Sequence, residues 1–122
     1  MTIERMVEWP DTDAAGHYHH STVIRWVEAA EAALHERLGL PELFGVVPRV
    51  HYEVDYLERL WFRDRVTVTL EVADVGRTSL RYVFQVDRDG QQAVRGQMVC
   101  VRTAAEGPVP WDDDVRQTLT GA

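Results

Sequence analysis

Residues 22–38, "TVIRWVEAAEAALHERL", limit the fold more than any other stretch of the chain. Val23, Val27, Ala30, Leu34 and Leu38 recur at helical spacing. Ile24, Trp26, Ala29 and Ala33 widen that stripe until it covers most of the helix girth. Only Arg25, Glu28, Glu31 and His35 remain as a narrow polar strip, which reads as the solvated side. The predicted helix starts at Ser21 or Thr22 and stops at Gly39, a residue suited to the left-handed exit of a helix. A helix this apolar cannot lie on a surface. Something must wrap it.

The rest of the chain offers one sheet for the purpose. Val50, Tyr52, Val54 and Tyr56 alternate with polar residues; so do Val66, Val68, Leu70 and Val72, and again Leu80, Tyr82, Phe84 and Val86. Period two marks three half-buried strands. Ala93 to Thr103 is a fourth, less regular run, and Gly76 and "DRDG" at Asp87–Gly90 supply turns. Ile3 to Trp9 reads as a short strand ahead of the helix, with Ile3, Val7 and Trp9 on one face and Pro10 ending it. "WDDDVRQTL" predicts a short terminal helix capped by an aspartate. One helix and about five strands give an α+β fold in which a curled antiparallel sheet encloses the helix. With no repeat, linker or low-complexity tract, residues 1–122 form one expected domain. Val83, Val99 and Val101 fall on the outer sheet face, which points to association with another copy.

Charge narrows the partners. The formal net charge is −7, and all 13 basic residues are arginine. An acidic chain without a basic cluster is not built to neutralise phosphate along nucleic acid. A smaller anionic ligand would have to be held by a few arginines, whose planar forks suit bidentate contact. The single cysteine, Cys100, has no intramolecular partner and reads as a small buried hydrophobe. The opening "MTIERMVEWP" lacks the apolar run of a signal peptide, and no segment reaches membrane length, so the expected location is the cytoplasm.

The chemistry concentrates in "WPDTDAAGHYHHST", just before the long helix. Two aspartates and three histidines invite a metal reading, but three convergent ligands are needed and the His-Glu-x-x-His spacing is absent. The expectation is no metal and no cofactor. The other reading uses the free N–H groups of a helix N-terminus to hold developing negative charge, beside a carboxylate that acts on a carbonyl.

Three blocks carry a family resemblance: "DTDAAGHYHHSTVIRWVEAA", "VGRTSLRYVFQV" and "RGQMVCVRTAAEGPVPWDDDV". In these, and in their spacing, the chain resembles the hotdog-fold acyl-CoA thioesterases, in particular the branch of 4-hydroxybenzoyl-CoA thioesterase and the Tol–Pal-associated thioesterase. It departs from that pattern at His17, where the family has small or aliphatic residues, and at Val23, where an aromatic is frequent. The resemblance implies hydrolysis of an acyl- or aroyl-CoA thioester. It makes Asp13 general base or nucleophile, with main-chain N–H groups near Gly16 and His20 polarising the carbonyl and Asp11 orienting the turn. His20 is expected to anchor the loop through side-chain hydrogen bonds. His17, Trp26, Thr78 and Ser79 are implied substrate contacts, and Arg77, Arg81 and Arg102 are candidates for the CoA phosphates. The family also implies a homodimer or homotetramer with sites between subunits. Two rival activities fit less of the pattern. An enoyl-thioester hydratase or dehydratase would pair His17 or His20 with Asp13, and a non-catalytic acyl-thioester binder would need neither. Glu28 and Glu31 belong to the solvated helix strip, although another branch of the fold uses a helix glutamate as its acid.

Overall fold

A computed structural model describes residues 1–122. Five strands form one antiparallel sheet: β1 (Thr2–Met6), β2 (Arg49–Tyr56), β3 (Arg65–Val75), β4 (Ser79–Arg88) and β5 (Gln91–Val101). Their spatial order is β1-β3-β4-β5-β2, so β1 and β2 are the two open edges. The long helix α1 spans Thr22–Leu38 and ends on Gly39, whose φ of 71° is the left-handed turn that the sequence predicts there. A tiny ribbon, β6 (Thr103–Ala104) and β7 (Gly107–Pro108), leads to the terminal helix α2 (Asp113–Thr120). This is the hotdog fold, with α1 held in the concavity of the sheet.

Packing explains why the helix needed so broad an apolar face. Val23, Trp26, Val27, Ala30 and Leu34 meet Val66, Val68 and Leu70 of β3, Leu80, Tyr82, Phe84 and Val86 of β4, and Met98 and Cys100 of β5 in one buried cluster. Each fully buried aliphatic side chain of this kind contributes roughly 1.5–3 kcal/mol relative to exposure. The wrap goes further than the apolar pattern indicates. Glu31 and His35, expected in water, are both buried. Arg49 meets both carboxylate oxygens of Glu31, and His35 Nε2 lies 2.7 Å from the Tyr82 hydroxyl.

Smaller departures have local causes. The first strand stops at Met6, and Pro10 sits instead in a 3-10 turn, Trp9–Asp11, that leaves Trp9 exposed. Val50 is 60% exposed, because a bulge between Arg49 and His51 shifts the register against β5. Asp112 occupies the N-cap position of α2, yet its side chain makes no capping bond and accepts from Arg102 instead.

Gly96 in β5 marks a close approach. It pairs with Val54 on one side and Phe84 on the other, and an added Cβ would collide with the Glu53 carbonyl oxygen and the Phe84 ring. Phe84 uses the gap to stack on Tyr52, rings 5.7 Å apart and 13° from parallel. Gly96→Ala is expected to cost about 2 kcal/mol through overpacking, read as a lower urea midpoint at unchanged slope. A midpoint equal to that of the wild type would mean the sheet opens there freely.

Candidate active site

The loop between the 3-10 turn and α1 is built around Asp11. Its buried carboxylate accepts from the Glu8 N–H at 2.8 Å and from Arg25 Nη2 at 2.9 Å, while its carbonyl accepts from the Thr22 hydroxyl and the His19 N–H. Asp11 thus ties the loop to the first turn of α1, the orienting part expected of it. The next turn belongs to Asp13. Its Oδ1 accepts from the Ala15 N–H at 2.8 Å, an Asx turn, and its N–H and carbonyl bond His17 and Gly16. Gly16 closes the turn at a φ of 88°, which an L-residue adopts only under strain. Asp13 Oδ2 accepts no hydrogen bond and lies 4.0 Å from His17 Nδ1.

The connection between β2 and β3 faces this loop and holds it. Tyr18 donates from its N–H to the Leu60 carbonyl at 2.8 Å and from its hydroxyl to the Glu58 carbonyl at 3.2 Å. Burial, then the neighbouring Tyr56, pushes the Tyr18 phenol up to about 12, so it stays a donor. Tyr56, the last residue of β2, donates its hydroxyl to the His20 carbonyl at 2.7 Å. Between loop and connection runs a cleft of about 670 Å³ bordered by Asp13, His17, His20, Tyr56, Trp61 and Arg59. His17 meets Trp61 edge-on, ring centres 5.7 Å apart. Arg88 reaches the same cleft from the end of β4, tethered to Asp64 at 2.9 Å.

The main-chain donors fall differently from the expectation. The Gly16 N–H is spent on the Asp13 carbonyl at 3.0 Å, so glycine there serves the turn and not the carbonyl. The N–H groups of Ala14, His17 and His20 donate to nothing within the chain. Peptide 19–20 is fixed by its carbonyl, which accepts from the Thr22 N–H at 3.0 Å and leaves the His20 N–H directed away from the helix. The His20 side chain makes no hydrogen bond; its ring lies over His19, centres 4.0 Å apart. Loop anchoring falls to His19, whose Nδ1 meets the Ser21 hydroxyl at 2.8 Å and the Ser21 N–H at 3.1 Å.

Asp13, Gly16, His17 and His20 therefore come together in one loop. Three other expected contacts do not join them within the chain. Trp26 is buried in the core. Thr78 and Ser79 lie at the opposite end of β4 from Arg88, about 30 Å along the strand. Their carbonyls there accept from the Arg102 N–H and from Trp111 Nε1. The arginines at the cleft are Arg59 and Arg88, not Arg77, Arg81 or Arg102. The signal for Arg59 was the stretch "LERLWFRDR", two aromatics and three arginines in a connection, where exposed aromatics are unusual. Cys100 is fully buried, and burial pushes its thiol up to about 11, so it is a poor nucleophile. No three metal-ligating side chains converge anywhere in the chain, and no helix is long and apolar enough to cross a membrane.

Known proteins share this fold. The model of the Thioesterase-like superfamily matches residues 7–119. A 1,4-dihydroxy-2-naphthoyl-CoA hydrolase of Thermosynechococcus vestitus is 30% identical over 129 aligned positions, spanning 98% of this chain and 88% of its own. A thioesterase from Thermus thermophilus, solved in complex with coenzyme A and Zn, superimposes with a TM-score of 0.89 at 26% identity, covering 97% of this chain and 95% of that one. A 1,4-dihydroxy-2-naphthoyl-CoA thioesterase from Synechocystis shares the fold at a TM-score of 0.86 and 19% identity, over 98% of this chain and 94% of its own. With a matching family model over nearly its whole length and a 30% identical hydrolase that it covers to 88%, the chain belongs to the thioesterase-like superfamily and is a hotdog-fold thioester hydrolase.

Proposed function

We propose that the chain hydrolyses an acyl- or aroyl-CoA thioester at the cleft beside α1, releasing the free acid and CoA. The observation that carries this is the Asp13 carboxylate, one oxygen held by its own turn and the other without a hydrogen bond, at a cleft bordered by the loop with the unpartnered N–H groups of His17 and His20. Asp13 either draws a proton from water as it attacks the carbonyl carbon or attacks directly to give a mixed anhydride, which a water molecule then hydrolyses to the free acid and the Asp13 carboxylate. The amides receive the oxyanion, and the thiolate departs. A positioned base supplies about 10²–10⁴-fold and one oxyanion donor about 10²–10³-fold, sufficient for an ester already activated by sulfur. Trp61, His17 and His20 line the cleft with aromatic rings, which favours an aroyl substrate such as those in the names of the cyanobacterial relatives. Arg59 and Arg88 are the cations available there to the anionic CoA. Within the family, the 4-hydroxybenzoyl-CoA and Tol–Pal-associated branch is our assignment, with residues 1–122 as one hotdog domain in the cytoplasm.

The working unit in this proposal is a homodimer, able to pair into a homotetramer. Edge strand β2 has an unpaired side and an exposed Val50, and joining two β2 edges about a two-fold axis would satisfy both. Thr78 and Ser79, remote from Asp13 within one chain, would reach a cleft only through such a partner. Thiol release from a panel of acyl- and aroyl-CoA esters tests the reading. Turnover of aroyl esters above short-chain ones is the expected result, and absence of thiol release across the panel would refute it. The 4.0 Å approach of His17 to Asp13 is the one feature favouring a hydratase; loss of enoyl-thioester absorbance without thiol release would select that activity instead.

A further inference from the structure

We infer that Tyr56 is a positioning residue for catalysis: its hydroxyl, bonded to the His20 carbonyl, fixes the direction in which the neighbouring His20 N–H points into the cleft. The inference rests on the thioesterase reading of the Asp13 cleft. Two peptide planes flank the His20 Cα; the first carries the N–H, and holding the second limits how far the first can turn about that shared Cα. Peptide 19–20 carries that N–H and is held through its carbonyl by the Thr22 N–H at 3.0 Å. Peptide 20–21 is held on both sides. The Tyr56 hydroxyl donates to its carbonyl at 2.7 Å, and its N–H donates to His19 Nδ1 at 3.1 Å.

Of these three contacts, only the one from Tyr56 comes from outside the loop and the first turn of the helix. It originates 36 residues away, at the end of an edge strand, and so references the loop to the sheet. Without it, peptide 20–21 keeps one local bond to the half-buried His19 imidazole, and the His20 backbone can swing with the loop. An oxyanion donor works through direction as much as through presence, so a small misalignment is felt in the transition state more than in substrate binding. Structure loses little by comparison. Tyr56 is 45% exposed, and the His20 carbonyl, once released, can turn to water.

The test compares Tyr56→Phe with wild type by thiol release, with Asp13→Asn assayed alongside. Expected are a kcat lower by about tenfold or more, a KM within about twofold, and a Tm within about 4 °C. An unchanged kcat overturns the inference. So does a rise in KM at constant kcat, which would make Tyr56 a substrate contact, and so does a loss of activity that only follows a large drop in Tm. If Asp13→Asn leaves turnover intact, the thioesterase reading of the cleft fails first. If it abolishes turnover while Tyr56→Phe is silent, only the role of Tyr56 falls.

Discussion

Asp13→Asn is expected to lower kcat for thiol release by about 10²–10⁴-fold, the range a positioned base commands, with KM and Tm close to wild type. Asparagine keeps the shape of the side chain and the Oδ1 that accepts from the Ala15 N–H, so the turn survives. What changes is the second oxygen, which accepts no hydrogen bond and whose replacement by an amide nitrogen therefore leaves nothing unpaired. At a partly exposed site of this kind the stability change should stay within about 0.5 kcal/mol. Rate and stability then separate cleanly, and rates equal to wild type would remove Asp13 from the mechanism. Single-turnover hydrolysis in labelled water distinguishes the two chemistries, since only anhydride formation places the label in the Asp13 carboxylate.

The largest expected loss of stability lies away from the cleft. Glu31→Ala should cost about 3 kcal/mol, at the lower end of the range for breaking a buried ion pair. Arg49 spans both oxygens of Glu31 and also bonds the Val47 carbonyl, with Cys100 Sγ 4.0 Å from the same carboxylate. The lower end applies because the Arg49 side chain keeps 27% of its surface, so the orphaned guanidinium can reach water. A Tm fall of roughly 10 °C follows for a chain of this size. The double change Glu31→Met with Arg49→Met removes both charges and should recover most of the loss, as apolar replacements of buried pairs often do. Urea unfolding of the two variants reads this directly. A single variant within about 1 kcal/mol of wild type would mean the pair is solvated after all.

The same pair shows where sequence reading stops. Apolar spacing located α1 to within a residue and the buried face of β4, Leu80 to Val86, side chain by side chain. Both follow from periodicity, a local property. Glu31 and His35 were misread as solvated because their partners stand 18 and 47 residues away, and no local pattern records that. Val50 fell outside the alternation because a bulge adds one residue to one strand only. At the cleft, the loop from Asp11 to His20 was legible as a motif. Its use of individual amides was not: Gly16, a natural choice for an oxyanion donor, has its N–H consumed by the turn it makes possible. Arg59, Trp61 and Tyr56 entered only through the long-range pairing that brings the β2–β3 connection against the loop.

Strand order has a kinetic corollary. Strands β3, β4 and β5 follow one another through two tight turns, whereas β2 must cross the sheet to pair with β5 from far along the chain. Closing that long loop is entropically the slower event. Every outside tether of the Asp13 loop to this region, at Tyr56, Glu58 and Leu60, hangs on a pairing that forms only after the meander. The catalytic apparatus is thus assembled after the meander and lost before it. In rising urea, activity should vanish while most of the sheet signal persists, and the outermost strand is where the enzyme can be switched off without being unfolded.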